Sequence, residues 1–313
     1  MKIYLIGSGA IGSLFAAYLT KSGMDLTLVA RNLKVVEQVN RDGLKVTGVR
    51  GDLSVRVPIV TEVSHDPGAD LALICVKAYD TEAAALQHDV LLRGAKMIVS
   101  LQNGIGNVEE LTARFGIDKV LAGSTTMGAF VTGPGSIHHA GEGETIIGEP
   151  RGGISADTQS VADVFCAAGL PTAASENINK PLWKKLCVNV GINAMCGVLR
   201  VRNGVLAEYD STKSIMRAAV GEAQRVAAKM GVDLDMEEMQ NLTIEIARKT
   251  ANNRSSMLTD ILGDRRTEID FINGAVVRLG RGNKIATPVN EVLTNLVIAL
   301  HETQSRRIEN KDA

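Results

Sequence analysis

Aromatic residues, paired cysteines and net charge are all scarce in this sequence, and each scarcity removes a class of function. Aromatics make up 3% of the residues and are scattered, too few for a surface that stacks nucleobases. Lys and Arg number 34 against 35 Asp and Glu, a formal net charge of -1, so no basic field draws in nucleic acid or anionic lipid. Cysteines stand at 75, 166, 187 and 196, with no CxxC pair and no metal-ligand spacing. Each has apolar neighbours and is expected to be a buried, reduced thiol. A reducing cytoplasm is then the expected compartment. No apolar run approaches the roughly 20 residues of a membrane-spanning helix. Glycines at 7, 9 and 12 interrupt the apolar start too early for a signal-peptide core. Nucleic acid, membrane and metal are therefore not expected as partners.

What is present is a chain of 313 residues, 45% hydrophobic and 22% charged, the balance of a globular protein and long enough for two domains. Its first half alternates short β-rich runs with helical patterns: Lys2–Ile6 as strand, Ala10–Lys21 as helix, Leu26–Ala30 as strand, Leu33–Asn40 as helix. Leu71–Val76 and Met97–Leu101 are continuous apolar runs, as expected of strands covered on both faces. This alternation predicts an α/β fold with a doubly wound, mostly parallel sheet of the Rossmann type. Leu44–Val60 and Gly128–Gly148, rich in Gly, Val, Thr and Ile, predict strands or hairpins added to that sheet. From about Asn179 long helical patterns dominate, and no proline falls between Pro181 and Pro288. The expected division is a Rossmann domain over 1–175 and an all-helical domain over 176–313. The polar tail, Ser305–Ala313, is expected to fray.

Gly7-Ser8-Gly9-Ala10-Ile11-Gly12 fits G-x-G-x-x-G. The motif alone is weak, but here it follows a predicted strand and opens a predicted helix at the start of a βαβ unit. Gly7 allows the tight turn, Gly9 lets backbone approach a pyrophosphate, and Gly12 allows close helix-on-strand packing. The free amides and dipole of the helix start favour phosphate charge. At the end of the second strand, an NAD enzyme would place an acid for the ribose 2′-hydroxyl. Arg31 stands there instead, and a guanidinium suits the 2′-phosphate of NADP. The alternative is a solvated surface arginine.

Pro181 suits the first turn of a helix, on which Lys185, Asn189 and Asn193 recur every four residues along one stripe among apolar neighbours. One reading makes the amides structural caps and lets the lysine snorkel to water. Equally, amides beside an ammonium are what holding a small oxo acid requires, and a desolvated lysine becomes a better proton donor. Farther on, Asn252–Met257 and Arg265–Asp270 are polar clusters. By local chemistry Ser255 or Ser256 caps the helix that follows, and Glu268 and Asp270 pair with the preceding arginines on a solvated face.

The ordered set of segments resembles the ketopantoate reductase (2-dehydropantoate 2-reductase) family nearly end to end. The specific parts are the Gly7–Gly12 loop, Leu101-Gln102-Asn103-Gly104, the Trp-Lys-Lys-Leu-x-Val-Asn-x-x-x-Asn run at 183–193, and Arg202-Asn203-Gly204. To these are added Ser255-Ser256-Met257-Leu258, Arg266–Gly274 and Ala286-Thr287-Pro288-Val289-Asn290. The resemblance implies an NADPH-dependent enzyme of pantothenate and coenzyme A synthesis, built of a Rossmann and a helical domain. By position it implies that Lys185 is the general acid and that Asn189, Asn193 and Asn203 hold substrate. It likewise implies that Ser256, with Asn253, Arg254 and Ser255 before it, grips the substrate carboxylate end. Asn103 is implied to serve both cofactor and substrate, and Glu268 to lie by the cofactor ribose and the lysine. Lys77 and Ala129, with Gly7, Ser8, Gly9, Ala10, Ile11, Gly12 and Arg31, are implied to contact NADP. Ser8 stands where several family members carry cysteine or alanine. Some members act on other 2-oxo acids, so the implied substrate is a small 2-oxo acid, ketopantoate first. An NADP-sensing regulator of the same fold would have lost the lysine or the serine, and both are present. A homodimer is the base-rate assembly.

Overall fold

The computed structural model describes residues 1–65 and 68–306. Packing divides the chain into two units: residues 1–102 with 106–181, and residues 103–105 with 182 onward. The first opens with β1 (Lys2–Ile6), α1 (Ala10–Lys21), β2 (Asp25–Val29) and α2 (Leu33–Asp42). β3 (Leu44–Gly48), β4 (Leu53–Val55) and β5 (Ile59–Val60) follow. Alternation resumes with β6 (Leu71–Ile74), α3 (Thr81–Gln87), α4 (Asp89–Gly94), β7 (Met97–Ser100), α5 (Asn107–Phe115) and β8 (Val120–Thr125). β9 (Gly128–Gly133), β10 (Ser136–Gly141), β11 (Thr145–Gly148), α6 (Ala156–Ala167) and β12 (Thr172–Ala174) complete it.

The main sheet runs β12-β11-β8-β7-β6-β1-β2-β5. It is parallel from β5 through β8; β11 runs antiparallel to β8, and β12 pairs parallel with β11, so these two strands run against the rest. Every residue of β6 and β7 is buried, which accounts for their unbroken apolar runs. Each fully buried Leu or Ile there contributes about 1.5–3 kcal/mol. From β1 the chain first lays β2 on one side, then crosses to place β6 on the other. This reversal leaves a crevice beyond the carboxyl ends of β1 and β6.

The expectation that Leu44–Val60 and Gly128–Gly148 extend this sheet holds only for β5 and β11. β3, β4, β9 and β10 form a separate four-stranded sheet, ordered β4-β3-β10-β9. The reason lies in α1, where residues Gly12 through Leu19 are all buried. A helix apolar on every side needs cover on every side. α1 has β1 and β2 on one side and β3, β4, β9 and β10 on the other.

The second unit is helical: α7 (Asn179–Leu199) from Leu182, α8 (Asp210–Lys229), α9 (Met236–Lys249), α10 (Ser256–Leu262), α11 (Asn273–Gly282) and α12 (Pro288–Glu302). Leu186, Val190, Met216, Val220, Met239 and Val276 lie in its core. A buried polar lattice also ties it together. The Glu222 carboxylate accepts from the Val289 and Asn290 backbone amides at 3.0 and 2.9 Å, capping α12. Asn290 Oδ1 accepts from Asn273 Nδ2 at 3.0 Å, and Asn273 Nδ2 also donates to the Val190 carbonyl of α7 at 3.1 Å.

No helix among the described residues is long and apolar enough to cross a membrane. Gln304–Arg306 form a short 3-10 turn, and the rest of the tail expected to fray lies outside the described residues. All four cysteines are free, but Cys166 is exposed, against expectation. The outer face of α6 turns it to solvent, where its sulfur accepts from the Thr172 amide at 3.3 Å. Burial pushes the Cys75, Cys187 and Cys196 thiols up to about 12, so none is a thiolate near neutrality.

Candidate functional site

The functional residues named from sequence fall into two constellations, one in each unit. In the first, the Gly7–Gly12 loop runs from β1 into α1. Gly7 has φ +115°, and a Cβ there would sit 2.7 Å from the Cys75 carbonyl carbon and the Val76 nitrogen. Its own amide donates to the Val29 carbonyl at 2.9 Å. A Cβ on Gly12 would overlap the Gly7 carbonyl oxygen. Gly9 differs: a Cβ there would come no nearer than 3.9 Å to any neighbour. The space over the loop at Gly9 is therefore open, as approach by a pyrophosphate requires. α1 has no side-chain cap and no acid in its first turn, leaving its first amides to an anion. Ser8, Ala10 and Ile11 complete the cradle through backbone, and Ser13 Oγ braces it by donating to the Ser8 carbonyl at 3.2 Å. The loop fits a dinucleotide.

Arg31 follows β2 and is 71% exposed, yet it is paired: Nη1 and Nη2 donate to the two Asp80 carboxylate oxygens at 3.0 and 2.8 Å. Asn32 takes the N-cap of α2, accepting from the Lys34 amide at 3.0 Å. Lys77 begins a 3-10 turn, Ala78–Asp80, after β6. Ala129 lies on β9, in the smaller sheet, opposite His139 of β10. A buried network missed from sequence fixes the ends of β6 and β7. Gln102 Nε2 donates to the Val76 carbonyl at 3.1 Å and to Thr81 Oγ at 2.7 Å, while its Oε1 accepts from Ser100 Oγ at 3.0 Å. The amide thus ties down the backbone next to Lys77. The sequence signals were a polar residue closing an apolar strand and its place in the family-like Leu101–Gly104 segment, and neither gave Gln102 a role.

In the second unit Lys185, Asn189 and Asn193 share one stripe of α7. Lys185 keeps some surface, but protein crowds it densely enough that lost hydration pulls its pKa from 10.5 down to about 8. The Glu268 charge opposes that fall by favouring the ammonium. Glu268 is 4% exposed, which corrects the expectation of a solvated face. Thr267, Glu268 and Ile269 turn inward together, while Arg266 and Asp270 pair outside, at 3.7 Å. Asn103 Nδ2 reaches Glu268 Oε2 at 3.4 Å. The close approach depends on Gly104, φ +83°, where a Cβ would collide with the Phe271 backbone. The Ile105 amide seals the junction by donating to the Phe271 carbonyl at 3.0 Å. Asn193 is 6% exposed, and neither its amide nor that of Asn189 has a hydrogen-bond partner among the described residues. Asn189 is half-buried, and both amides keep their hydrogen-bonding capacity.

Asn203 is placed differently. Its Nδ2 donates to Thr250 Oγ at 2.9 Å, its Oδ1 accepts from the Cys196 thiol at 3.4 Å, and its backbone amide donates to the Asn253 carbonyl at 3.1 Å. With Arg202 Nη1 donating to the Asn252 carbonyl at 2.6 Å, it holds the 251–254 loop. Asn253 and Arg254 are exposed on that loop, Ser255 is buried, and Ser256 is exposed at the start of α10. Ser255 caps α10, its Oγ accepting from the Leu258 amide at 3.1 Å, so the Ser256 hydroxyl is the one left for a ligand. Thr250, Arg202 and Asn273 are positioning residues to which sequence reasoning gave no role, although Arg202 and Asn273 lie in the family-like segments. Their partners lie 47 to 83 residues away, and no local pattern carries such a distance.

Residues 3–152 match the family described as ketopantoate reductase PanE/ApbA, and residues 177–301 match its C-terminal domain. The chain is 39% identical over 298 residues to a 2-dehydropantoate 2-reductase of Halobacterium salinarum, covering 95% of this chain and 98% of that protein. Among solved structures it is similar to a PanE/ApbA family ketopantoate reductase from Ralstonia eutropha, with TM-score 0.89, 32% identity and 97% and 100% of the two chains covered. It is also similar to D-mandelate dehydrogenase solved with NADH and anilino(oxo)acetate, with TM-score 0.92, 28% identity and the same coverage.

Proposed function

Because the chain belongs to the ketopantoate reductase PanE/ApbA family, we propose that it is a cytoplasmic oxidoreductase that reduces ketopantoate to pantoate with NADPH, in pantothenate and coenzyme A synthesis. The observation that carries the proposal is the Lys185 ammonium, its pKa lowered to about 8, on one stripe of α7 with two amides that lack hydrogen-bond partners among the described residues. The open, glycine-built cradle at the start of α1 supports a nicotinamide dinucleotide, and Arg31 supports the phosphorylated form. In this reading residues 1–175 hold the cofactor, and residues 176–313 bring the substrate and catalytic groups.

When bound, the cofactor supplies a hydride to the C2 carbonyl carbon. Lys185 stabilises the negative charge that develops on the carbonyl oxygen and donates the proton that makes it a hydroxyl. Glu268 keeps Lys185 charged for that task, and Asn103 bridges to the Glu268 carboxylate. Asn189 and Asn193 donate to substrate oxygens and fix their orientation. Asn253, Arg254 and Ser256 meet the substrate carboxylate, with Asn203 and Ser255 holding their loop in shape. Lys185→Ala is expected to depress kcat by about 10²–10⁴ while the dissociation constant for NADPH stays near the parent value. Equal loss of both would overturn the role of Lys185. The similarity to D-mandelate dehydrogenase favours one alternative: mandelate is also a 2-hydroxy acid, so the same groups would serve a different 2-oxo acid.

A further inference from the structure

The pairing of Arg31 with Asp80 uses both terminal nitrogens against both carboxylate oxygens, at 3.0 and 2.8 Å. This is the forked geometry in which a guanidinium grips a carboxylate or a phosphate. Asp80 also occupies the N-cap of α3, where a carboxylate ordinarily accepts from the first helical amides, yet its side chain makes no cap bond there. The carboxylate points at Arg31 instead, and the arginine is 71% exposed while Asp80 is only 20% exposed. The acid is the fixed partner and the arginine the free-reaching one.

We propose that Asp80 is an internal stand-in for the cofactor 2′-phosphate and that, by occupying the fork of Arg31, it sets the discrimination between NADPH and NADH. The inference rests on the reading of Arg31 as the group that selects the phosphate. With NADH the ion pair stays intact, so no unpaired cation is left beside the ribose and the unphosphorylated cofactor is accepted. With NADPH the guanidinium exchanges the carboxylate for the phosphate, and the long exposed side chain allows the exchange. The Asp80 charge opposes the phosphate twice over, by competing for the fork and by direct repulsion.

The test is Asp80→Asn, which keeps the shape and removes the charge. Dissociation constants for NADPH and for NADH are measured by calorimetry on the parent, Asp80→Asn, Arg31→Ala and the double variant. Asp80→Asn is expected to tighten NADPH by about three- to tenfold, with NADH held within about twofold. Arg31→Ala is expected to weaken NADPH and spare NADH, and in that background the gain from Asp80→Asn shrinks. Weaker or unchanged NADPH binding in Asp80→Asn, alongside a clear loss in Arg31→Ala, overturns this inference alone, since Asp80 would then be a tether. Unchanged NADPH binding in Arg31→Ala overturns the selector reading beneath it.

Discussion

Replacing Glu268 with Gln isolates the electrostatic part of the site, because it removes a charge while keeping the shape. Desolvation holds the Lys185 pKa at about 8, and the Glu268 charge works against that fall. Without Glu268 only desolvation remains, so the pKa falls further. An opposite charge near enough to register in the Lys185 titration is worth on the order of 1–2 kcal/mol, or roughly one pH unit. The acid form of Lys185 is the working one. The parent kcat/KM should therefore hold below about pH 7 and fall about tenfold for each unit above about pH 8. In Glu268→Gln the alkaline limb should move toward acid by roughly one pH unit. The assay is kcat/KM for the oxo acid across pH at saturating cofactor. A parent profile flat to about pH 10, where an ordinary lysine titrates, would refute the reasoning, as would a limb that stays put or moves toward alkali in the variant.

Two other substitutions test other parts of the site. Asn193→Ala removes a donor to a charged substrate, worth about 1.5–3 kcal/mol, so kcat/KM should fall roughly 10- to 100-fold. The melting temperature should barely move, since the amide has no partner among the described residues; a large drop with kcat/KM intact would make the residue structural. Gly7→Ala places a Cβ 2.7 Å from the Cys75 backbone at φ +115°. The strained loop should cost about 1–3 kcal/mol of stability in denaturant unfolding and weaken dinucleotide binding more than tenfold, and parent-like affinity would contradict the cradle.

The main sheet and its glycine loop were legible because their signals are local. The predicted Lys2–Ile6 strand and Ala10–Lys21 helix coincide with β1 and α1, since the glycine spacing pins the turn between them. The α7 stripe was legible from its four-residue period. The separate small sheet was not, because it answers a tertiary demand of α1 for cover on both sides, and strand composition does not say which sheet a strand joins. Glu268 was misread because Arg265-Arg266-Thr267-Glu268 has the composition of a solvated face, whereas its burial beside Asn103 depends on a residue 165 positions earlier. Arg31 illustrates a different limit. It is exposed, as the surface reading of it expects, and it sits in a pair with Asp80 that no spacing rule connects across 49 residues.

The most direct measurement is the oxidation of NADPH by the purified protein with ketopantoate, pyruvate, 2-oxoisovalerate and 2-oxoglutarate in parallel, followed by the loss of reduced-nicotinamide absorbance. A kcat/KM for ketopantoate well above the other three is the expected result. A higher value for another of the oxo acids would contradict the substrate assigned here, and no turnover with any of them would contradict the reductase assignment itself.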